Sequence, residues 1–386
     1  MKVLLLTWDF PPGKGGIQIW MHELARRLPD AEVRVLAPTA PGDRAFDAAD
    51  GLHVRRLSAA RWGRGAWLAE LTARTLATCL TWRPDLIVCG HVITAPAALS
   101  ARVLTNTPYV VFTHAYEIRR RRMKQLYGYL LRRARLVISN SAFTRGAVGE
   151  LGVPTDRIRV LHPGVDAERF SPSRNGDEHR RMILSVSRLA DMYKGHDMTI
   201  RALPLIKSKV PAARYVIAGG GPLREYLGRV AQSVGVQQDV EFLGEVSDDQ
   251  LLDLYRSADV LAVLSRESAS LGGAEGFGIV CLEAAACGVP VVAGRSGGLP
   301  DAVQDGVTGI LVDPQDLGAA AEAIVSLLAD PERARRMGAA GRAAVLDHFT
   351  WDHMAREARR LFGEAIRPHP LSPSPLRERG DETSRT

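Results

Sequence analysis

Cysteine is scarce in this chain: Cys79, Cys89, Cys281 and Cys287 are the only four in 386 residues, and none is paired at metal-site spacing. That excludes a disulfide scaffold and a zinc or iron–sulfur module, and it fits a reduced, cytoplasmic compartment. No apolar run approaches the roughly 20 residues of a membrane-spanning helix. The opening Met1-Lys-Val-Leu-Leu-Leu-Thr-Trp-Asp9 has one basic residue and a short apolar run that meets an acid, so it reads as a first strand rather than a signal peptide. A Gly-x-Gly-x-x-Gly fingerprint is missing after that strand, and Gly219-Gly-Gly221 is followed by Pro222 instead of completing one. A nicotinamide-dependent dehydrogenase is thereby disfavoured. No recognised nucleic-acid motif accompanies the net charge of +7, so nucleic acid is not expected as a partner.

What the chain does contain is enough apolar sequence, 46% hydrophobic against 24% charged, for two globular domains with cores of their own. Short apolar runs at 2–8, 32–37, 86–91, 109–114, 136–140 and 158–162 alternate with helical segments. The pattern repeats at 181–187, 214–219, 240–243, 260–265, 289–293 and 310–312. Alternation of this kind predicts an α/β protein with two parallel, doubly wound sheets. The expected domains are 1–165 and 179–350, joined by a polar, Ser/Pro-rich linker at 166–178. A final amphipathic helix at 351–366 precedes a proline-rich tail, 367–386, expected to be disordered and dispensable.

The run Glu275-Gly-Phe-Gly-Ile-Val-Cys-Leu-Glu283 carries the most chemical information. Gly276 and Gly278 permit backbone N–H groups to approach an anion at the positive end of a helix starting at Ile279. Backbone groups of Phe277, Ile279 and Val280 complete that turn. Glu283, one turn into the helix, can accept the paired hydroxyls of a ribose, while Glu275 stays in the loop facing whatever the phosphate carries. A strand before, and a helix closed by Gly288 and a strand after, make this a βαβ unit. Gly297-Gly-Leu-Pro-Asp301 adds a second turn at a strand's carboxyl end, where open parallel sheets bind ligands.

These residues resemble the donor site of the family 4 retaining glycosyltransferases, and the likeness spans nearly the whole chain. It includes Pro11-Pro-Gly-Lys-Gly-Gly-Ile-Gln18, Phe112-Thr-His114, Ser139-Asn-Ser141 and Pro163-Gly-Val-Asp166. In the second half it includes Ser187-Arg-Leu189, Lys194-Gly195 and Ala218-Gly-Gly-Gly-Pro222. The resemblance implies the GT-B fold, two Rossmann-like domains facing across a cleft, with the first binding the acceptor and the second a nucleotide sugar. It implies that the last helix crosses back to the first domain. It assigns Arg188 and Lys194 to the diphosphate, Gly15 and Gly16 to the leaving phosphate, and His114 to the transferred sugar; Gly219 and Gly220 join the donor site. Where the family has glycine after that histidine, this chain has Ala115. Asp9 is a candidate for binding acceptor or positioning the glycine loop.

A departing nucleoside diphosphate gathers negative charge, which needs cations or a metal against it. The chain has no Asp-x-Asp motif, so basic side chains are expected to do this with no metal and no cofactor beyond the nucleotide-sugar co-substrate. Family precedent implies retention by same-face entry of the acceptor, with Glu275 orienting the sugar rather than attacking it. The best donor expectation is GDP-mannose, with a UDP-hexose next and a nucleotide-sugar epimerase on the same scaffold as the rival activity. Residues 117–135, read as one helix, interleave basic residues with leucines and tyrosines, which suits either a solvated face or docking on an anionic membrane. With docking, the acceptor is a lipid or lipid-linked glycan, and the Gly-Gly-Ile-Gln start resembles that of phosphatidylinositol mannosyltransferases.

Overall fold

The computed structural model describes residues 1–115, 117–118, 123–173, 181–267 and 273–367. The first sheet contains β1 (Lys2–Leu6), β2 (Glu32–Pro38), β3 (His53–Leu57), β4 (Leu86–Cys89), β5 (Tyr109–Thr113), β6 (Leu136–Ser139) and β7 (Ile158–Val160). Its order is β3-β2-β1-β4-β5-β6-β7, all parallel. The second contains β8 (Met182–Val186), β9 (Arg214–Ala218), β10 (Val240–Gly244), β11 (Val260–Val263), β12 (Val291–Gly294) and β13 (Gly309–Val312). These run parallel in the order β10-β9-β8-β11-β12-β13. Strand order reverses beside β1 in one sheet and beside β8 in the other, the positions at which doubly wound sheets open a crevice.

Central strands such as β5 are buried at every residue, as a sheet covered on both faces requires. Alternate residues of β1 serve opposite layers. Leu4 and Leu6 face Trp67 and Leu71 of the helix Arg64–Trp82, whereas Val3 and Leu5 face Trp20, Met21 and Leu24 of the helix Gly16–Arg27. β3 has no counterpart in the apolar pattern, because His53-Val-Arg-Arg-Leu57 is an edge strand whose polar residues remain half in solvent. Its Arg56 is not idle there: it pairs with Asp47 at 2.6 Å and donates to the carbonyls of Pro11 and Pro38.

The helix Trp351–Ile366 belongs to the second half of the chain but packs on the first sheet. Met354, Ala358, Leu361 and Phe362 are buried against Val3, Trp20 and Phe112. Two connections between the sheets therefore run side by side: Val165 N–H donates to Phe349 O at 2.8 Å. A Cβ on Gly164 would lie 2.6 Å from Trp351 N, so only glycine permits that passage. Beyond Asp166 the linker lies on the second domain, where Arg342 donates to Phe170 O and Arg256 to Ser171 O. Of the tail expected at 367–386, residues 368–386 lie outside the described residues.

Candidate active site

Strand β11 leads through Ser265 and Arg266 into the loop that ends at Gly278, the left-handed N-cap (φ 101°) of the helix Ile279–Ala286. Glu275 Oε2 accepts from Lys194 Nζ at 2.6 Å across 81 residues of sequence. Burial alone would lower the affinity of Lys194 for its proton, but Glu275 and Tyr193 outweigh it and keep the ammonium charged. Lys194 closes a tight turn before Gly195, where a Cβ would come within 1.9 Å of Leu264 O. The lysine loop is thus pressed onto the end of β11, and the ion pair of Arg266 with Asp197 at 3.0 Å ties the two together.

Glu283 sits one turn into the helix, its Oε2 accepting from the Tyr255 hydroxyl at 2.7 Å. Burial raises its carboxyl above the ordinary value, and Tyr255 and Arg169 oppose that. Arg188 follows β8 and is exposed toward the first domain, its charge reaching Asp9. The glycines after β9 hold the Arg188 loop: a Cβ on Gly219 would lie 1.9 Å from Ser187 O, and one on Gly221 2.4 Å from Leu189 O. Gly220 instead faces Glu245. His196 anchors the same loop from below, with Nε2 2.7 Å from Ser187 Oγ and Nδ1 3.0 Å from the Tyr215 hydroxyl. Burial first, then the nearby Lys194 charge, push the His196 imidazole down to about 4, so it is neutral at pH 7.

The first domain supplies the opposing wall. Gly16 faces the donor helix directly, since a Cβ there would lie 3.1 Å from Ile279 Cδ1. Gly15 makes room for Gln18, whose Nε2 donates to Asp9 Oδ1 at 3.1 Å, so Asp9 holds the glycine loop. Burial raises the Asp9 carboxyl, against the pull of His91, His114 and Arg188. His114 Nε2 donates to Gly90 O at 2.8 Å, which commits that nitrogen to the protein and leaves Nδ1 as an acceptor. Its backbone N–H donates to the buried Glu117 Oε1 at 2.7 Å, and Trp20 packs edge-on to the ring. Ala115, which stands where the family has glycine, adopts φ 79°, the left-handed conformation that suits glycine.

Gly276 lies against the first domain: the space a Cβ would take there is filled by Asn140 Nδ2 and His114 O, each 2.7 Å away. Phe277 is likewise placed against the first domain: its side chain is buried and stacks on His162 at 5.2 Å. The segment 117–135 is not one helix, because the helix covers only Lys124–Leu131 and turns Tyr127, Leu130 and Leu131 into the core. Of its apolar residues Leu126 and Tyr129 remain exposed, and Arg119 to Arg122 lie outside the described residues.

Folding also gathers residues that local pattern did not single out. His91 and Glu117 join His114 and Asp9 on the first domain, and Tyr255 joins Glu283. Asp301, from the second glycine turn, accepts from Ala142 N at 2.8 Å and from His162 Nε2 at 3.0 Å, clasping the two domains. Spacing gave a usable signal for Glu117, three residues past His114, and for Asp301, inside the turn already noted. It offered none for Tyr255, 28 residues before its partner. Among the described residues no group of three His, Cys, Asp or Glu could hold a metal ion, and no helix is long and apolar enough to cross a membrane.

Two family models match in tandem: "Glycosyltransferase Family 4" over residues 14–169 and "Glycosyl transferases group 1" over 166–344. A GDP-mannose-dependent alpha-(1-6)-phosphatidylinositol monomannoside mannosyltransferase of Mycolicibacterium smegmatis is 37% identical over 90% of this chain and 95% of its own length. One from Corynebacterium glutamicum, named for the monoacylated acceptor, is 31% identical over 92% and 95%. Among solved structures, Anabaena HepE in complex with UDP superposes with a TM-score of 0.80 at 22% identity, covering 94% of this chain and 100% of that one. A sucrose-phosphate synthase from Thermosynechococcus elongatus follows at 0.78 and 23%, covering 94% and 98%. Identities that low bear on the fold alone. With two facing Rossmann-like domains and relatives above 30% identity along nearly its whole length, the chain belongs to the family 4, group 1 glycosyltransferases of the GT-B fold.

Proposed function

We propose that this enzyme transfers mannose from GDP-mannose to a phosphatidylinositol-mannoside-like lipid acceptor, with retention of configuration and without a metal. The observation that carries the donor half is the convergence of Lys194, Glu275 and the start of the helix Ile279–Ala286 at one point, with Glu283 a turn further in. The ammonium and Arg188 neutralise the charge that grows on the departing diphosphate. Glu275, drawn toward the sugar, accepts from its hydroxyls and yields part of the Lys194 ammonium to the diphosphate. Glu283 receives the ribose. The acceptor enters from the first domain, where Asp9, His91, His114 and Glu117 form a polar wall.

The donor and acceptor classes are supported by relatives above 30% identity, among them two named for GDP-mannose and a phosphatidylinositol mannoside. A UDP-hexose is the second reading. The proposed workplace is the cytoplasmic face of an anionic membrane. Calorimetric titration with GDP, UDP and ADP in the presence of EDTA tests the donor reading. Tight binding of GDP alone, followed by mannosyl transfer to an extracted lipid acceptor, is the expected result. Preference for UDP would replace the donor, and a requirement for added divalent metal would overturn the metal-free chemistry.

A further inference from the structure

Tyr255 is fully buried on the helix Asp248–Ser257, among Phe170, Leu261, Cys281 and Leu282. A phenylalanine would fill such a place without the cost of burying a hydroxyl, which is about 1–3 kcal/mol when unpaired. The hydroxyl here has a partner: it donates to Glu283 Oε2 at 2.7 Å. Phe170 of the interdomain linker lies edge-on against the same ring at 5.8 Å. We infer that Tyr255 is a positioning residue for the nucleotide: its hydroxyl occupies one lone pair of Glu283 and fixes the carboxylate plane, aiming the remaining lone pairs at the two ribose hydroxyls. This rests on the donor reading above and deepens it.

Charge supports the same role. Glu283 faces Tyr255 and Asp248 from the helix Asp248–Ser257, Arg169 from the linker, and the thiols of Cys281 on its own helix and Cys287 at that helix's C-cap. Burial raises its carboxyl, and the Tyr255 hydrogen bond is the larger of the two opposing influences, ahead of Arg169. A protonated carboxyl has lost an acceptor site and serves a diol less well. Without the hydroxyl, Glu283 takes up a proton at higher pH, so nucleotide affinity fails earlier as pH falls.

Tyr255→Phe keeps the ring and removes only the hydroxyl. Calorimetry with GDP and UDP, and with the 2′,3′-dideoxy form of whichever binds, is run on the wild type, Tyr255→Phe and Glu283→Gln between pH 5 and 8. Tyr255→Phe is expected to weaken nucleotide binding about tenfold, as the loss of a hydrogen bond to a charged group does. The dideoxy compound should bind nearly as in wild type, the acid limb should move to higher pH, and kcat at saturating donor should change little. Unchanged ribose discrimination in Tyr255→Phe, with discrimination lost in Glu283→Gln, overturns the role of Tyr255 and leaves the donor reading standing. Discrimination retained in Glu283→Gln removes the ribose assignment, and no binding of either nucleotide to wild type removes both.

Discussion

Lys194 and Glu275 neutralise each other at 2.6 Å, and in the proposed reaction a diphosphate and a hexose separate their tasks. Lys194→Ala is expected to lower kcat about 10²–10³-fold, the loss typical of a group that meets developing charge. Glu275→Gln should have a comparable effect, and both variants should keep the wild-type far-UV circular dichroism. Near-normal turnover in both would refute the site. His196 makes a different prediction. Its folded value near 4 lies below the ordinary 6.5, so the unfolded chain binds the proton more readily. The stability it contributes is complete above pH 6.5 and is lost as pH falls toward 4, by about 3 kcal/mol. Chemical denaturation across that range should show the slope, and His196→Gln should flatten it.

At the scale of elements, the helix Trp351–Ile366 is held by an apolar face, with Phe362 fully buried. Phe362→Ala is expected to cost about 3–5 kcal/mol, read as a drop in the urea midpoint. Replacing Arg119 to Arg122 with glutamine should weaken sedimentation with anionic vesicles and reduce its salt sensitivity; unchanged binding would move the membrane contact elsewhere. Elements differ in how openly they announce themselves. Twelve strands read as apolar runs, while β3 leaves no such run because its histidine and two arginines stay wholly or partly in solvent at the sheet edge. The segment 117–135 misled in the opposite way. Its leucines have the spacing of an exposed amphipathic face, yet packing against the first sheet claims Leu130 and Leu131 for the core.

For the whole molecule, the glycine at 276 measures how close the domains come. Its backbone dihedral is open to alanine, since it is not among the positive-φ glycines, so Gly276→Ala should be harmless but for Asn140 and His114 O across the cleft. The expected outcome is a larger radius of gyration by small-angle scattering and weak transfer, with nucleotide binding to the second domain retained. A wild-type radius together with wild-type transfer would show that the contact is not needed.

The resemblance of the motifs supplied the family and the pair Arg188 and Lys194; periodicity and turn chemistry were sufficient for the two parallel sheets and for Glu275 before, and Glu283 within, one helix. These follow from interactions within a few residues, or from the need to cover both faces of a sheet, and they leave a mark in local pattern. The partners came from the fold alone: Lys194 with Glu275, Tyr255 with Glu283, Asp301 with His162 and Ala142, and Gly276 against the first domain. Each joins residues 28 to 159 positions apart or residues of different domains, and their meeting depends on how the loops after β8, β11 and β12 pack on one another and on the facing sheet. Linear spacing carries no trace of that packing.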